Sequence, residues 1–292
     1  MIRPPILSGL AEIAGRYDGF ILDLWGVLHD GVKPYPGTLE VLNRLKAAGK
    51  RSVLLSNAPR RAEVLVEVLS NMGIERSLYS GIMSSGEATY LELSARSDPF
   101  FAALGRKLYH LGPDRDINLY VDLDYERVAK VSEADFILNT GPVELEHSLA
   151  DYEEVLREAA ARHLPMVCAN PDKLVMRLGV PVVCAGAFAD RYRELGGKFV
   201  ERGKPDPAIY PPCFELLGIS DKSKVLAVGD ALHTDIAGAK AAGIDSLLTT
   251  CGIHAAELGA GWGEEPDPEK LENLYRQHGQ RPVAVISTFR WS

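Results

Sequence analysis

The amino-acid sequence predicts an α/β fold in which a doubly wound parallel sheet carries an inserted second α/β domain. Short apolar runs alternate with helical periodicity through the first 80 residues and again beyond residue 196, the pattern of βαβ units. Carboxylates and other polar residues stand where predicted strands end, the edge at which open α/β sheets place their ligands. The 292 residues exceed the roughly 150 expected of one domain. The stretch between Ser56 and Lys204 is also far too long for a connecting loop. The reading therefore divides the chain into residues 1–80 and 196–292, which form the core, and residues 81–195, which form the insert.

The elements follow in order. Phe20-Ile21-Leu22 runs into Asp23 and on through Leu24 to Leu28, a continuous apolar pattern expected of a buried strand. Pro36-Gly37 marks a turn. The next helix carries Leu39, Leu42 and Leu45 on one face and stops near Gly49. Ser52 to Leu55 is a second strand, ending at Ser56-Asn57. Val64, Leu65, Val68, Leu69 and Met72 then recur at helical spacing before Gly73.

The texture changes near Gly81. A helix around Ala88 to Leu93 precedes a loop at Ser97-Asp98-Pro99. Strands are expected at Lys107 to Leu111, Phe136 to Asn139 and Met166 to Ala169. Between the last two lies a helix with Tyr152, Val155, Leu156 and Ala159 inward, and another runs from Ala187 to Leu195 before Gly196-Gly197. The third region returns to βαβ texture. It offers helix Ala208–Leu217, strand Lys224–Val228 ending at Gly229-Asp230, and helix Thr234–Ala242 closed by Gly243. A strand at Ser246–Thr249, a helix with Leu271, Leu274 and Tyr275, and a strand at Val283–Ile286 complete the chain.

Composition narrows the function. Hydrophobic residues make up 46% and charged residues 25%, values of a globular chain that buries a full core. Acidic residues outnumber basic ones by 40 to 32, for a net charge of −8, which argues against non-specific nucleic-acid binding. Met1 to Leu10 does not read as a signal peptide, and no run approaches the ~20 apolar residues that span a bilayer. A cytoplasmic protein with no membrane partner is expected. Cys168, Cys184, Cys213 and Cys251 form no C-x-x-C pair and read as reduced thiols. The seven histidines are scattered without zinc-binding spacing, so no zinc site is expected. Gly259-Ala260-Gly261-Trp262-Gly263 follows no clear strand and reads as a plain loop.

Four signals stand at predicted strand ends: Asp23, Ser56-Asn57, Lys204 within Gly203-Lys204-Pro205-Asp206-Pro207, and Asp230 with Asp235. Singly, each has a structural reading as a helix cap or a turn. Together, in this order, they resemble the haloacid dehalogenase (HAD) phosphatase superfamily and, within it, the NagD-like class IIA subfamily. The resemblance rests on Phe20 to Leu28, Leu54 to Asn57, Gly203 to Pro207 and Val228 to Asp235, with Ala169-Asn170-Pro171-Asp172 and Cys184 to Phe188 also similar. It implies a Rossmann-like core with a C2-type cap, which would close over the site and select the leaving group.

The resemblance also implies a chemistry. A phosphate monoester must have its charge neutralised before another anion can attack it, so Mg²⁺ and a lysine are implied. Asp23 is the implied nucleophile, forming an aspartyl-phosphate. The implied Mg²⁺ ligands are Asp23, Asp230 and the backbone carbonyl of Trp25. Ser56 would donate to a phosphoryl oxygen with help from the Asn57 backbone, Lys204 would stabilise phosphoryl charge, and Asp235 would orient its neighbours. Asn170 and Asp172 are candidate substrate contacts from the insert. Asp122 and Asp124 are weaker candidates, because solvated acids on a surface are common.

One position departs from the family pattern. Phosphatases of this superfamily usually carry an acid–base Asp two residues after the nucleophile, and here that residue is Trp25. Its indole cannot protonate a leaving alkoxide. His29 and Asp30 are nearby substitutes, although an Asp-Gly pair more often makes a turn. The leading expectation is Mg²⁺-dependent hydrolysis of a small phosphorylated metabolite, a sugar phosphate or nucleotide. A catalytically weak phospho-ligand binder and a phosphotransferase are the alternatives. A dehalogenase is disfavoured, because that chemistry needs no Mg²⁺. A homodimer is left open.

Overall fold

The computed structural model describes residues 3–177 and 180–292, so Met1 and Ile2 of the N-terminal reading lie outside the described residues. The chain divides into two compact units. The first holds residues 1–56, 65–83 and 204–292, and the second holds 57–64 and 84–203.

The first unit is built on a seven-stranded sheet. Its spatial order is Ile6–Leu7, Ala284–Ile286, Asp245–Thr249, Val225–Gly229, Gly19–Asp23, Arg51–Ser56 and Gly81–Ser84. Val225–Gly229 and Arg51–Ser56 both pair in parallel with Gly19–Asp23, in registers Val228 to Leu22 and Asp23 to Leu55. These registers bring the C-terminal ends of the three strands to one level. The chain leaves Gly19–Asp23 toward Arg51–Ser56 on one side and returns to Val225–Gly229 on the other, so the topology switches at Asp23. Every residue of Gly19–Asp23 is buried, which is why this strand lacks alternation. Leu232, Ile236, Leu248, Leu271, Leu274 and Val285 belong to one buried cluster of this unit.

The second unit carries a five-stranded sheet in the order Phe199–Glu201, Met166–Cys168, Phe136–Asn139, Lys107–Leu111 and Glu126–Arg127. All its pairings are parallel. Strand alternation sends Ile137 and Met166 to one buried cluster with Leu156, Phe188 and Tyr192. Phe136, Leu138 and Val167 go to the other, with Leu93 and Phe101. A separate antiparallel pair joins Leu174–Arg177 to Val180–Val183.

Several expectations need correction. The strand stops at Asp23, and Leu24 to Leu28 is a buried turn, closed by the Leu28 and His29 amides donating to the Leu24 carbonyl. Gly26 at φ +85° makes that turn available, a conformation closed to a residue in a regular strand. Gly81–Ser84 is an edge strand of the first sheet and Phe199–Glu201 an edge strand of the second, so neither sheet changes at residues 80/81 or 195/196. Both are short edge strands next to glycines, which weakened their pattern. The expected helix from Thr234 begins instead as a wide π turn, Leu232–Ile236, in which the Ile236 amide reaches the Ala231 carbonyl, before Ala237–Ala242. Asp98 caps helix Pro99–Ala102 by accepting from the Phe100 amide. The 259–263 glycine run is a loop, in which Trp262 packs on Tyr35 with ring centroids 4.5 Å apart. All four cysteines are free. Among the described residues no helix is long and apolar enough to cross a membrane.

Two buried imidazoles give the fold a pH dependence. Burial pushes His29 down to about 4, with Asp30 opposing, and burial with the Arg127 charge pushes His110 down to about 4. In the unfolded chain both titrate near the ordinary 6.5. Between these values the unfolded chain binds more protons than the folded one, so stability falls as pH drops from 6.5 to 4. Each group contributes up to about 3 kcal/mol of that loss. Denaturant midpoints measured across this range should decline with acid, and His110→Gln should flatten the decline.

Candidate active site

The site is assembled from strand ends of the first unit. Asp23 is the last residue of its strand, Ser56 the last of the neighbouring strand, and Asp230 follows Gly229 on the other side. Asp235 comes from the π turn and Lys204 from the segment that re-enters the unit. Asp23, Ser56, Lys204, Asp230 and Asp235 are all buried.

Lys204 ties them together. Its Nζ donates to Asp23 Oδ1 at 2.5 Å, to Asp235 Oδ1 at 2.7 Å, and more weakly to the Leu55 carbonyl at 3.4 Å. A buried ammonium is tolerated only with such partners. Asp235 is held at its other oxygen by the Ala231 amide at 3.0 Å, and Asp230 Oδ2 accepts from the Ile253 amide at 2.7 Å. Asp235 therefore has both oxygens engaged, which suits it to positioning Lys204 rather than to ligation.

Three glycines let the carboxylates sit where they do. A β-carbon at Gly26 or Gly252 would overlap the Asp230 carboxylate, and one at Gly229 would overlap Asp235. Only backbone without a side chain fits at these positions. Sequence reading passed over Gly252, whose importance appears only when the turn after Thr249 folds against Asp230.

Three buried carboxylates lie close together, and the one ammonium among them bonds two, Asp23 and Asp235. Burial pushes the Asp23 carboxyl well above the ordinary carboxylate range; the Lys204 charge opposes this, and the Asp235 and Asp230 charges reinforce it. Burial works against the Lys204 charge as well, but Asp23 and Asp235 hold it well above the ordinary lysine value. Oxygens of Asp23, Asp230 and Asp235 lie within 4.8 Å of one another. A hard divalent cation fits both the oxygen donors and the excess negative charge.

Trp25 follows Asp23 by two residues, and its indole packs where a β-carbon on Gly31 would clash, edge-on to His29 with ring centroids 5.7 Å apart. Neither neighbour supplies an acid at neutral pH. His29 is buried and neutral, its Nδ1 accepting from the Gly31 amide at 3.0 Å. Burial acts to raise Asp30, but the Lys33 and Val32 amides donating to it hold the carboxyl below its ordinary value. Asp30 is thus the acceptor of a turn.

In the second unit, Asn170 Oδ1 accepts from the Asp172 amide at 3.0 Å, and Asp172 Oδ1 accepts from Asn57 Nδ2 at 2.8 Å. A β-carbon on Gly203 would meet Ser85, Asn57 and Pro171, so the segment before Lys204 is packed tightly against these residues. Asp122 and Asp124 are exposed, and Asp124 pairs with Arg106 at 3.4 Å, so the solvated-surface reading accounts for both.

Comparison with known proteins matches two family models, a haloacid dehalogenase-like hydrolase over residues 20–126 and a HAD-hydrolase-like family over residues 201–276. A solved hydrolase of the haloacid dehalogenase-like family from Brucella suis 1330 is 31% identical, with a TM-score of 0.82 over 97% of this chain and 99% of that one. Chronophin from Bos taurus is 26% identical over 86% of each chain. D-glycerol 3-phosphate phosphatase from Mycobacterium tuberculosis is 25% identical over 85% of this chain and 67% of that protein.

The glycine cradle yields a direct test. Gly252→Ala should displace Asp230, lower the thermal midpoint, and weaken Mn²⁺ binding to the carboxylate cluster by roughly tenfold or more in protein that remains folded. Titration of Mn²⁺ against the wild-type and variant proteins measures it.

Proposed function

This chain belongs to the haloacid dehalogenase-like hydrolase family, and from that premise we propose that it is a Mg²⁺-dependent phosphatase of small phosphorylated metabolites, of the sugar phosphate or nucleotide class. The observation that carries the proposal is the buried Lys204 ammonium bonded to both Asp23 and Asp235, with Asp230 beside them at the switch point of the sheet. A relative named for hydrolysis of D-glycerol 3-phosphate supports a small alkyl phosphate as substrate.

Asp23 and Asp230, with the Trp25 backbone carbonyl, are the residues assigned to hold Mg²⁺, and Asp235 stays engaged with Lys204 and the Ala231 amide. When bound, Mg²⁺ offsets the charge of the phosphoryl group and so lowers the barrier to anionic attack. Asp23 supplies the attacking oxygen. The phosphorus–oxygen bond to the leaving group breaks as the bond to Asp23 forms, giving an aspartyl-phosphate that water then hydrolyses. Lys204 keeps its proton throughout and donates toward phosphoryl oxygens, while Ser56 and the Asn57 backbone fix the group in line. Asn170 and Asp172 are the candidate substrate contacts of the inserted unit, in which Asp172 also accepts from Asn57 Nδ2. The inserted unit corresponds to the family's C2-type cap.

Trp25 favours a second reading, a protein that binds phosphorylated ligands and turns them over slowly. Missing acid–base help costs on the order of 10²–10⁴-fold in rate for poor leaving groups. The two readings part on leaving-group dependence. With Trp25 in place, kcat/KM over a graded series should fall steeply from p-nitrophenyl and acetyl phosphate to alkyl phosphates. Fast alkyl cleavage with a flat dependence would assign the acid to another residue. Tight phosphate-analogue binding with no turnover of any member would establish the binder.

The nucleophile has its own test. Asp23→Asn should lower phosphate release by on the order of 10³-fold or more while the protein stays folded by circular dichroism. Wild-type turnover in a purified sample of this variant would rule the covalent route out.

A further inference from the structure

The other notable cluster shares no residue with the carboxylates and was invisible to sequence spacing. His254 precedes helix Ala255–Leu258, Glu257 lies within it, and His278 ends helix Pro268–His278, with 24 positions separating the two histidines. The packing of these helices against each other brings one ligand atom of each residue to within 4.8 Å of the others. His254 and His278 have ring centroids 5.2 Å apart, and His254 Nδ1 stands 3.1 Å from Glu257 Oε2. A third imidazole, His233, stacks on His278 at 5.9 Å and lies 6.4 Å from His254.

We propose that His254, Glu257 and His278 form a second metal site, selective for a borderline transition-metal ion of the Zn²⁺ class. Two imidazoles and a carboxylate are the donors such ions prefer, and Mg²⁺, which favours oxygen, has little claim on them. Access is open, because Glu257 and His233 are exposed and His278 is half-buried, whereas His254 is buried and fixed. The fixing is specific: His254 Nε2 accepts from the Leu232 amide at 3.2 Å, which leaves the ring proton on Nδ1, facing Glu257. The metal takes the place of that proton. The neutral ring then carries its proton on Nε2, and the Leu232 amide gives up its acceptor.

That exchange touches the catalytic edge. Leu232 opens the π turn that carries Asp235, and Ile253, next to His254, donates to Asp230. The site therefore sits on the two turns that hold the carboxylates, without sharing a ligand with them.

Equilibrium dialysis with Zn²⁺ in excess Mg²⁺, on untagged full-length protein, tests this. Wild-type protein should retain one Zn²⁺ per chain that Mg²⁺ does not displace, and both His278→Ala and Glu257→Gln should weaken it at least tenfold. Glu257 is exposed, so its variant carries the test should His278→Ala fail to fold. Zn²⁺ binding unchanged in Glu257→Gln and in folded His278→Ala, or fully displaced by Mg²⁺, overturns the proposal.

Discussion

A buried ammonium between two buried carboxylates is the constraint around which the first unit is arranged. Lys204 is 3% exposed and would be costly alone, so its bonds to Asp23 and Asp235 are required by the fold as much as by any chemistry. Because the partners come from the central strand and from the π turn, the clamp fixes where the re-entering chain meets the sheet. Its neighbours adapt to it. Gly26, Gly229 and Gly252 are positions where any side chain would push a carboxylate aside.

The same arrangement is unbalanced by design of its charges. One ammonium cannot neutralise three carboxylates, and burial, with the Asp235 and Asp230 charges, pushes the Asp23 carboxyl well above the ordinary carboxylate range. On the proposed reading a divalent cation would relieve that excess, and a phosphoryl group beside it would meet both the cation and the lysine. The residue missing from this scheme is an acid. Trp25 occupies its place, His29 is held neutral by burial, and Asp30 is committed to a turn. On the proposed reading the site has a nucleophile in Asp23 but no group placed to protonate a basic alkoxide.

Much of this was legible in the sequence, because strand-end carboxylates and a G-K-P-D-P run, each ambiguous singly, occur together in one order. Apolar strand runs read clearly at Phe20-Ile21-Leu22, which is buried on both faces, and at Lys107 to Leu111. What escaped was set by tertiary packing. Leu24 to Leu28 has the composition of a strand, and only Gly26 in the left-handed region together with the closeness of Asp230 turns it. The short edge strands Gly81–Ser84 and Phe199–Glu201 have too few residues to show a period. Gly252 and the His254–Glu257–His278 cluster depend on contacts between segments far apart in sequence, and spacing rules are blind to those.

The central claim is that Asp23, oriented by Lys204, is the nucleophile and carries the phosphoryl group during turnover. Protein acid-quenched during steady hydrolysis of p-nitrophenyl phosphate and reduced with borotritide tests it at the bond concerned, because an acyl phosphate is reduced to the alcohol and a free carboxylate is not. The account predicts tritiated homoserine at position 23, formed only while substrate remains. Continued phosphate release with no tritium at position 23, or with the label on another residue, would contradict it.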